Sequence, residues 1–347
     1  MFRLLSYLKV FSGIALWLFV AACSEQSSTS MYTLQGHTMG TTYNIRLYSD
    51  AEVDQKALKA AVDSILEEVN RQMSTYQGSS EISQFNHHNA PHAMQISDDF
   101  ARVVAQSFAI NQQTQGFFDV TVGPLVNLWG FGPDGRPVNP PTHDQVEQAL
   151  EKTGMGAIKL EGAKLSKSDD RYIDLSAIAK GYGVDLVAEY LLDRNLTSFL
   201  VEIGGEIRTN GQKPNAQSWR LAVESPHSSL SEGTRQVQNI VELGNEAMAT
   251  SGNYRNFYEI DGVRYSHTID PFTGYPSVHN LASVTIVASN CAKADALATA
   301  MLVMGDEKAL KLANEQDILA YFIVHSEDGL QVQQSNSWQK RFPSAVN

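Results

Sequence analysis

The chain has 347 residues, 43% of them hydrophobic, a formal net charge of −12 and only two cysteines, Cys23 and Cys291. That length suits one large domain or two closely packed ones. The acidic balance without a basic run argues against a nucleic-acid partner, and two thiols exclude a disulfide framework.

In chain order, Arg3 and Lys9 give a positive start, an apolar run follows from Val10 to Val20, and Ala21 and Ala22 lead into Cys23. This is the charge–apolar–small order of a secretory signal. A cysteine directly after the small residues resembles a bacterial lipobox. Residues 1–22 then read as a lipoprotein signal peptide, with Cys23 lipidated at the start of the mature chain. The alternative, an uncleaved transmembrane anchor, asks for roughly 20 apolar residues, more than this run supplies. Loss of Arg3 and Lys9 takes the net charge from −12 to −14. Residues 23–31 are small and polar for the most part and suit a flexible tether. The expected location is the periplasmic side of a membrane, held by lipid. Ser24 leans towards the outer membrane by the enterobacterial sorting rule.

Residues 32–342 read as one domain. Thr41–Tyr48 alternates as a strand does, and Leu58, Val62, Ile65, Leu66 and Val69 mark one face of a helix. Residues 74–92 are polar and read as loop. Ser97 is a good N-cap for a helix running to about Thr114. Gly130–Pro141 reads as a surface excursion, and Thr142 starts a short helix ending before Gly154. A long helix is expected from about Ser176 to Asn195. Strands are expected at Phe199–Ile203, Trp219–Glu224, Val237–Leu243, Tyr254–Ile260 and Leu281–Ala288, with a hairpin at Asp261-Gly262. Helices at about 291–304 and 306–315 precede a strand pair near Leu319–Val324 and Leu330–Gln334. Strands and helices mix without strict alternation, which predicts an α+β fold with mixed, largely antiparallel sheets. No G-x-G-x-x-G follows a strand, so a Rossmann dinucleotide site is unsupported.

Several segments could carry chemistry. His37-Thr-Met-Gly-Thr41 is either an ordinary turn or a place of close backbone approach to a ligand. Tyr76 is either a stacking platform or a packing residue. Gly116–Gly132 gathers four aromatics and four glycines around Asp119, which suits a pocket for a flat heterocycle or a buried strand and turn. In Asp174–Asp185, Asp174 or Ser176 could cap a helix, while Gly181 and Gly183 cost roughly 1 kcal/mol each relative to Ala in its first turns. A helix start with open backbone is a natural phosphate site, and Lys180 adds charge. His267 and Asp270 read as a base with an orienting or binding group, or as structural residues. Asp295 and Thr299, four apart, share a helix face. Carboxylate plus hydroxyl suits Mg²⁺ or Ca²⁺ rather than zinc, unless they are a helix-dipole aspartate and a back-bonding threonine.

Met39-Gly-Thr, Ser74-Thr-Tyr, Phe118-Asp-Val-Thr-Val-Gly-Pro-Leu, Asp174-Leu-Ser-Ala-Ile-Ala-Lys-Gly, Ala249-Thr-Ser-Gly-Asn-Tyr, Ser266-His-Thr-Ile-Asp-Pro-Phe-Thr-Gly and Asp295-Ala-Leu-Ala-Thr stand in this order along the chain. Together they resemble the ApbE family of FAD:protein FMN transferases over about residues 38–322. The resemblance implies an α+β fold, FAD as substrate and Mg²⁺ as metal, with FMN joined through its phosphate to a Ser or Thr of an acceptor and AMP released. It implies FAD contacts at Met39, Tyr76, Phe117, Phe118, Asp119, Asp174, Lys180 and Ile269. It implies a metal held by the Ala177 carbonyl and the side chains of Asp295 and Thr299, with His267 as the base. Ala298 stands where some relatives carry an acidic residue, which predicts a weaker metal site or an extra water ligand. The acceptors implied are subunits of the Na⁺-translocating NADH:quinone reductase or Rnf-type complexes. Two alternatives use the same residues: a metal-dependent FAD pyrophosphatase releasing free FMN and AMP, and a non-catalytic flavin-binding lipoprotein.

Overall fold

The computed structural model describes residues 29–343 apart from 225, 227–236, 254–255 and 261. The signal peptide, Cys23 and most of the tether lie outside the described residues, as do Tyr254 and Asp261.

The elements in order are β1 (Ser30–Thr38), β2 (Thr41–Ser49), α1 (Gln55–Met73), α2 (Glu81–His87), β3 (Met94–Gln95), α3 (Asp98–Gln113), α4 (Gly123–Leu128), α5 (His143–Leu150), β4 (Ile158–Glu161) and β5 (Lys164–Lys167). There follow α6 (Ala179–Leu192), β6 (Ser198–Ile203), β7 (Glu206–Asn210), β8 (Trp219–Glu224), β9 (Val237–Leu243), β10 (Ala247–Gly252), β11 (Phe257–Ile260), β12 (Val263–Ser266) and β13 (Leu281–Ala288). The chain ends with α7 (Cys291–Met304), α8 (Asp306–Glu315), β14 (Leu319–Ser326), β15 (Gly329–Gln334) and α9 (Asn336–Arg341).

Eight strands form one sheet in the order β1-β2-β6-β7-β10-β13-β14-β15. Every neighbouring pair in it is antiparallel, so the fold is α+β as expected. Side chains alternate across the sheet, and each face has its own core. Ala249, Val284, Ile286 and Phe322 join the core beneath α3, α6 and α7. Met248, Val287, Tyr321 and Ile323 point the other way and meet Leu221, Val241 and Trp338 from the β8–β9 hairpin and α9.

Two helices lie at the centre. Both α6 and α7 are buried around most of their circumference, as a helix apolar on every side must be. They touch each other while also packing on β7 and β10. The outer helices start where the sequence signals them: Asp54 caps α1, Ser97 caps α3, and Thr142 with Gln145 forms a capping box on α5.

Three expectations change. The polar stretch 74–92 contains α2, capped by Ser80, whose Ile82 and Phe85 are fully buried. Its polarity is deceptive because Asn86 is spent on backbone: Nδ2 donates to the Ile173 carbonyl and Oδ1 accepts from the Ile173 N–H. Ser30 and Met31, read with the tether, are already paired in β1. The long helix starts at Ala179 rather than near Ser176. Its N-cap position is Ile178, with no side-chain cap. Asp174 instead folds back on its own turn, accepting from the Ser176 N–H at 2.8 Å.

Candidate active site

The helix α6 begins without a local cap because its cap comes from elsewhere. The Gly181 N–H donates to Asp295 Oδ2 at 3.1 Å, across 114 residues of sequence. Asp295 is 2% exposed, near the start of α7. The debt is returned: Asp185 of α6 accepts from the Cys291 and Ala292 N–H groups at the start of α7, both at 2.9 Å, and from Arg208 at 2.8 Å. Each helix thus satisfies orphan N–H groups of the other.

This exchange demands very close approach. A Cβ on Gly181 would stand 2.5 Å from the Cys291 carbonyl oxygen, and one on Gly183 would stand 2.9 Å from the Met39 methyl. The two glycines therefore answer to packing. The phosphate-cradle reading of this helix start is corrected at Gly181, whose N–H is taken by a carboxylate.

Lys180 lies between two buried carboxylates, 3.2 Å from Glu206 Oε1 and 3.5 Å from Asp295 Oδ2. Burial works against its charge, but the two carboxylates override that and hold its pKa above the usual lysine value. Glu206 is pushed up to about 7, by burial first and by Asp295 as well, against the pull of Lys180. One ammonium facing two carboxylates leaves an excess of negative charge in a buried place, and Glu206 Oε2 is buried without a hydrogen-bond partner among the described residues. Thr299, one turn beyond Asp295, has its hydroxyl 3.2 Å from Ser251 Oγ on β10. Ala177, whose carbonyl the resemblance places in the metal site, lies in the turn just ahead of α6.

Sequence reasoning missed Glu206, although a signal was present. Gly204 and Gly205, both at positive φ, make a two-residue turn that pairs Glu206 with Ile203. Cross-strand partners share a face. Ile203 belongs to the core under α6, so Glu206 must point inward as well.

His267 follows β12 and is half-buried. Its Nδ1 is 3.1 Å from the Asn256 carbonyl. A carbonyl only accepts, so Nδ1 carries the proton and Nε2 presents a lone pair. Burial lowers the His267 pKa, the Asn256 carbonyl raises it, and the Lys180 charge lowers it further. The residue that orients His267 is therefore Asn256, through its backbone. Asp270, expected in that role, accepts instead from the Phe272 N–H at 2.8 Å.

The remaining residues divide. Tyr76 is 67% exposed and donates to the Phe131 carbonyl at 3.2 Å. The Phe131 ring also meets the His267 ring edge-on at 6.2 Å. The Asp174 charge, after burial, raises the Tyr76 phenol. Tyr76, Phe131, Asp174, Lys180 and His267 thus border one region. Met39, at positive φ in the β1–β2 turn, reaches Gly183 and lines a cleft of about 530 Å³ with residues 37–42, Glu67 and Asn70. That cleft adjoins the site but includes neither His267 nor Asp295. Phe117 is half-buried and stands edge-on to Phe272 at 4.9 Å. Phe118 and Ile269 are core side chains, 2% and 5% exposed, so any contact they make with a ligand is through backbone. Asp119 spends one carboxylate oxygen on the Thr121 N–H at 2.7 Å, and burial raises its pKa.

With this geometry in view, comparison with known proteins is specific. The model of the ApbE family matches residues 39–323. An FAD:protein FMN transferase of Vibrio cholerae serotype O1 is 44% identical over 329 residues, 94% of this chain and 97% of that protein. One of Haemophilus influenzae is 42% identical over 345 residues, 96% and 98% of the two chains. Among solved structures, the flavin transferase ApbE from Vibrio cholerae superposes with a TM-score of 0.83 at 44% identity, covering 90% of this chain and all of that one. The apo form of the Pseudomonas stutzeri flavinyl transferase ApbE gives 0.84 at 36%, covering 92% and 98%. The chain belongs to the ApbE family.

Proposed function

We propose that this protein transfers the FMN half of FAD to a protein, joining it through its phosphate to a Ser or Thr hydroxyl and releasing AMP. The observation that carries the reading is His267 with Nδ1 committed to the Asn256 carbonyl and Nε2 left as a proton acceptor. The bond changes are simple. The acceptor oxygen attacks the FMN-side phosphorus, the bond from that phosphorus to the AMP oxygen breaks, and the hydroxyl proton goes to His267 Nε2. A base adjusted to the neutral form contributes typically 10²–10⁴-fold to such a step. Positioning supplies much of the remainder. Tyr76 offers an open aromatic face for the flavin ring, and the half-buried Lys180 brings a positive charge to the site.

The reading includes a divalent cation, Mg²⁺ or Ca²⁺, held by Asp295, Thr299 and the Ala177 carbonyl. The residues fit such an ion, because two buried carboxylates face a single ammonium and Glu206 Oε2 has no partner. Among the described residues no three His, Cys, Asp or Glu side chains converge on a metal site, so carbonyl, hydroxyl and water oxygens would complete the shell, as hard cations prefer. When bound, the ion would offset the charge on the pyrophosphate oxygens and stabilise departing AMP. The acceptors proposed are membrane redox subunits of the Na⁺-translocating NADH:quinone reductase or Rnf type. A lipid on Cys23 would hold the enzyme at the same surface, on the periplasmic side.

The test combines purified protein, FAD, Mg²⁺ and one such subunit. In-gel flavin fluorescence and the intact mass of the subunit should both report one added FMN per modified hydroxyl. Free FMN and AMP with an unmodified subunit would instead make the protein a pyrophosphatase.

A further inference from the structure

Lys180 and a cation on Asp295 are in competition. Both are positive, and Lys180 Nζ already stands 3.5 Å from Asp295 Oδ2. If Asp295 turns its charge to a metal ion, Lys180, whose side chain is only 29% exposed, must keep another partner or be left as an unpaired, largely desolvated ammonium, which is unfavourable. Glu206 is that partner. It is 5% exposed, its Oε1 lies 3.2 Å from Nζ, and its Oε2 is unpartnered. The short turn at Gly204 and Gly205 fixes its reach, and its cross-strand neighbour Ile203 is in the core, so Glu206 has little freedom to leave.

We propose that Glu206 is a positioning residue for cation binding: it retains the Lys180 ammonium and so frees Asp295 to take the metal. The role is indirect. Glu206 raises cation affinity by relieving competition at Asp295, and it holds Lys180 in place. This rests on the reading of Asp295 and Thr299 as cation ligands.

The experiment is calorimetric titration of Mg²⁺ into metal-stripped protein without FAD, so that no turnover is involved. Wild type, E206Q, K180M, the double variant K180M/E206Q and D295N are compared, with thermal unfolding in EDTA to establish that each is folded. E206Q should weaken Mg²⁺ binding about tenfold, because Lys180 then leans on Asp295 alone. In the K180M background the same change should have little effect, since the competitor is gone; coupling of that size is usual for side chains in direct contact. Glu206→Asp keeps the charge and should keep most of the affinity. Equal losses in both backgrounds would make Glu206 a direct ligand or a structural residue and overturn the proposal, as would unchanged binding in E206Q. Binding by D295N at wild-type strength, or none by wild type, would overturn the metal reading itself.

Discussion

His267 is oriented by a backbone carbonyl, and that choice sets when it can act. A carboxylate on Nδ1 would favour the imidazolium and raise the pKa. Here burial dominates and lowers it, with Lys180 adding to the effect. The neutral, proton-accepting form therefore predominates at neutral pH and persists as the pH falls to the ordinary histidine value of about 6.5. It is lost only below that, as the solution passes through the lowered pKa. Initial rates of protein flavinylation at saturating FAD and Mg²⁺, followed over about pH 5 to 8, should show an acid limb centred below about 6.5. His267→Gln should lower the rate by about 10²–10⁴-fold, abolish that limb and leave FAD affinity near normal, because the ground-state contacts come from other residues. An acid limb centred above 6.5 would remove the neutral-base assignment. A variant that no longer binds FAD would make His267 a binding residue.

At the scale of elements, the site depends on how closely α6 and α7 cross. The two contacts that require glycine differ in kind. At Gly181 an added methyl group meets the Cys291 carbonyl and the Ala292 Cα, all backbone, whereas at Gly183 it meets the end of the flexible Met39 side chain. Gly181→Ala must therefore push the helices apart and stretch the Gly181–Asp295 hydrogen bond. It should cost about 1–3 kcal/mol, despite the roughly 1 kcal/mol that Ala gains in helix propensity. Gly183→Ala should be close to neutral once Met39 shifts. Chemical denaturation of both variants checks the order, and a larger loss in Gly183→Ala would contradict the packing account. The same crossing explains what could be read from the chain and what could not. Apolar spacing revealed α1, because helix faces repeat locally. The cap of α6 was hidden, because its acceptor is Asp295, 114 residues away. Local rules assigned that job to Asp174 or Ser176, whose own turn absorbs them. Asn256 was hidden for another reason: it acts through a carbonyl, which every residue type has. Glu206 was within reach of a register argument from the Gly204-Gly205 turn. Periodicity says nothing of Lys180 meeting Asp295, since the two are brought together only by the packing of α6 on α7.

At the scale of the whole molecule, charge and anchoring have to be reconciled. A net charge of −12, or −14 without residues 1–22, gives no attraction to an anionic lipid surface. Among the described residues no helix is long and apolar enough to cross a membrane. The proposed lipid on Cys23 would supply a hydrophobic attachment that does not depend on charge, its acyl chains contributing about 0.8 kcal/mol per buried methylene. Such attachment has a distinct signature. Salt near 1 M, which shortens the screening length to about 3 Å, releases proteins held by charge but not those held by acyl chains. Membranes from cells expressing the full chain should therefore retain the protein through a high-salt wash and release it with detergent. Cys23→Ser should be recovered as a precursor with residues 1–22 still attached, or be lost from the membrane fraction. Intact mass and fractionation of the two proteins decide the matter. Release of the wild type by salt alone, or recovery of Cys23→Ser in membranes at the mature mass, would mean that something other than a lipid on Cys23 holds this acidic enzyme at its surface.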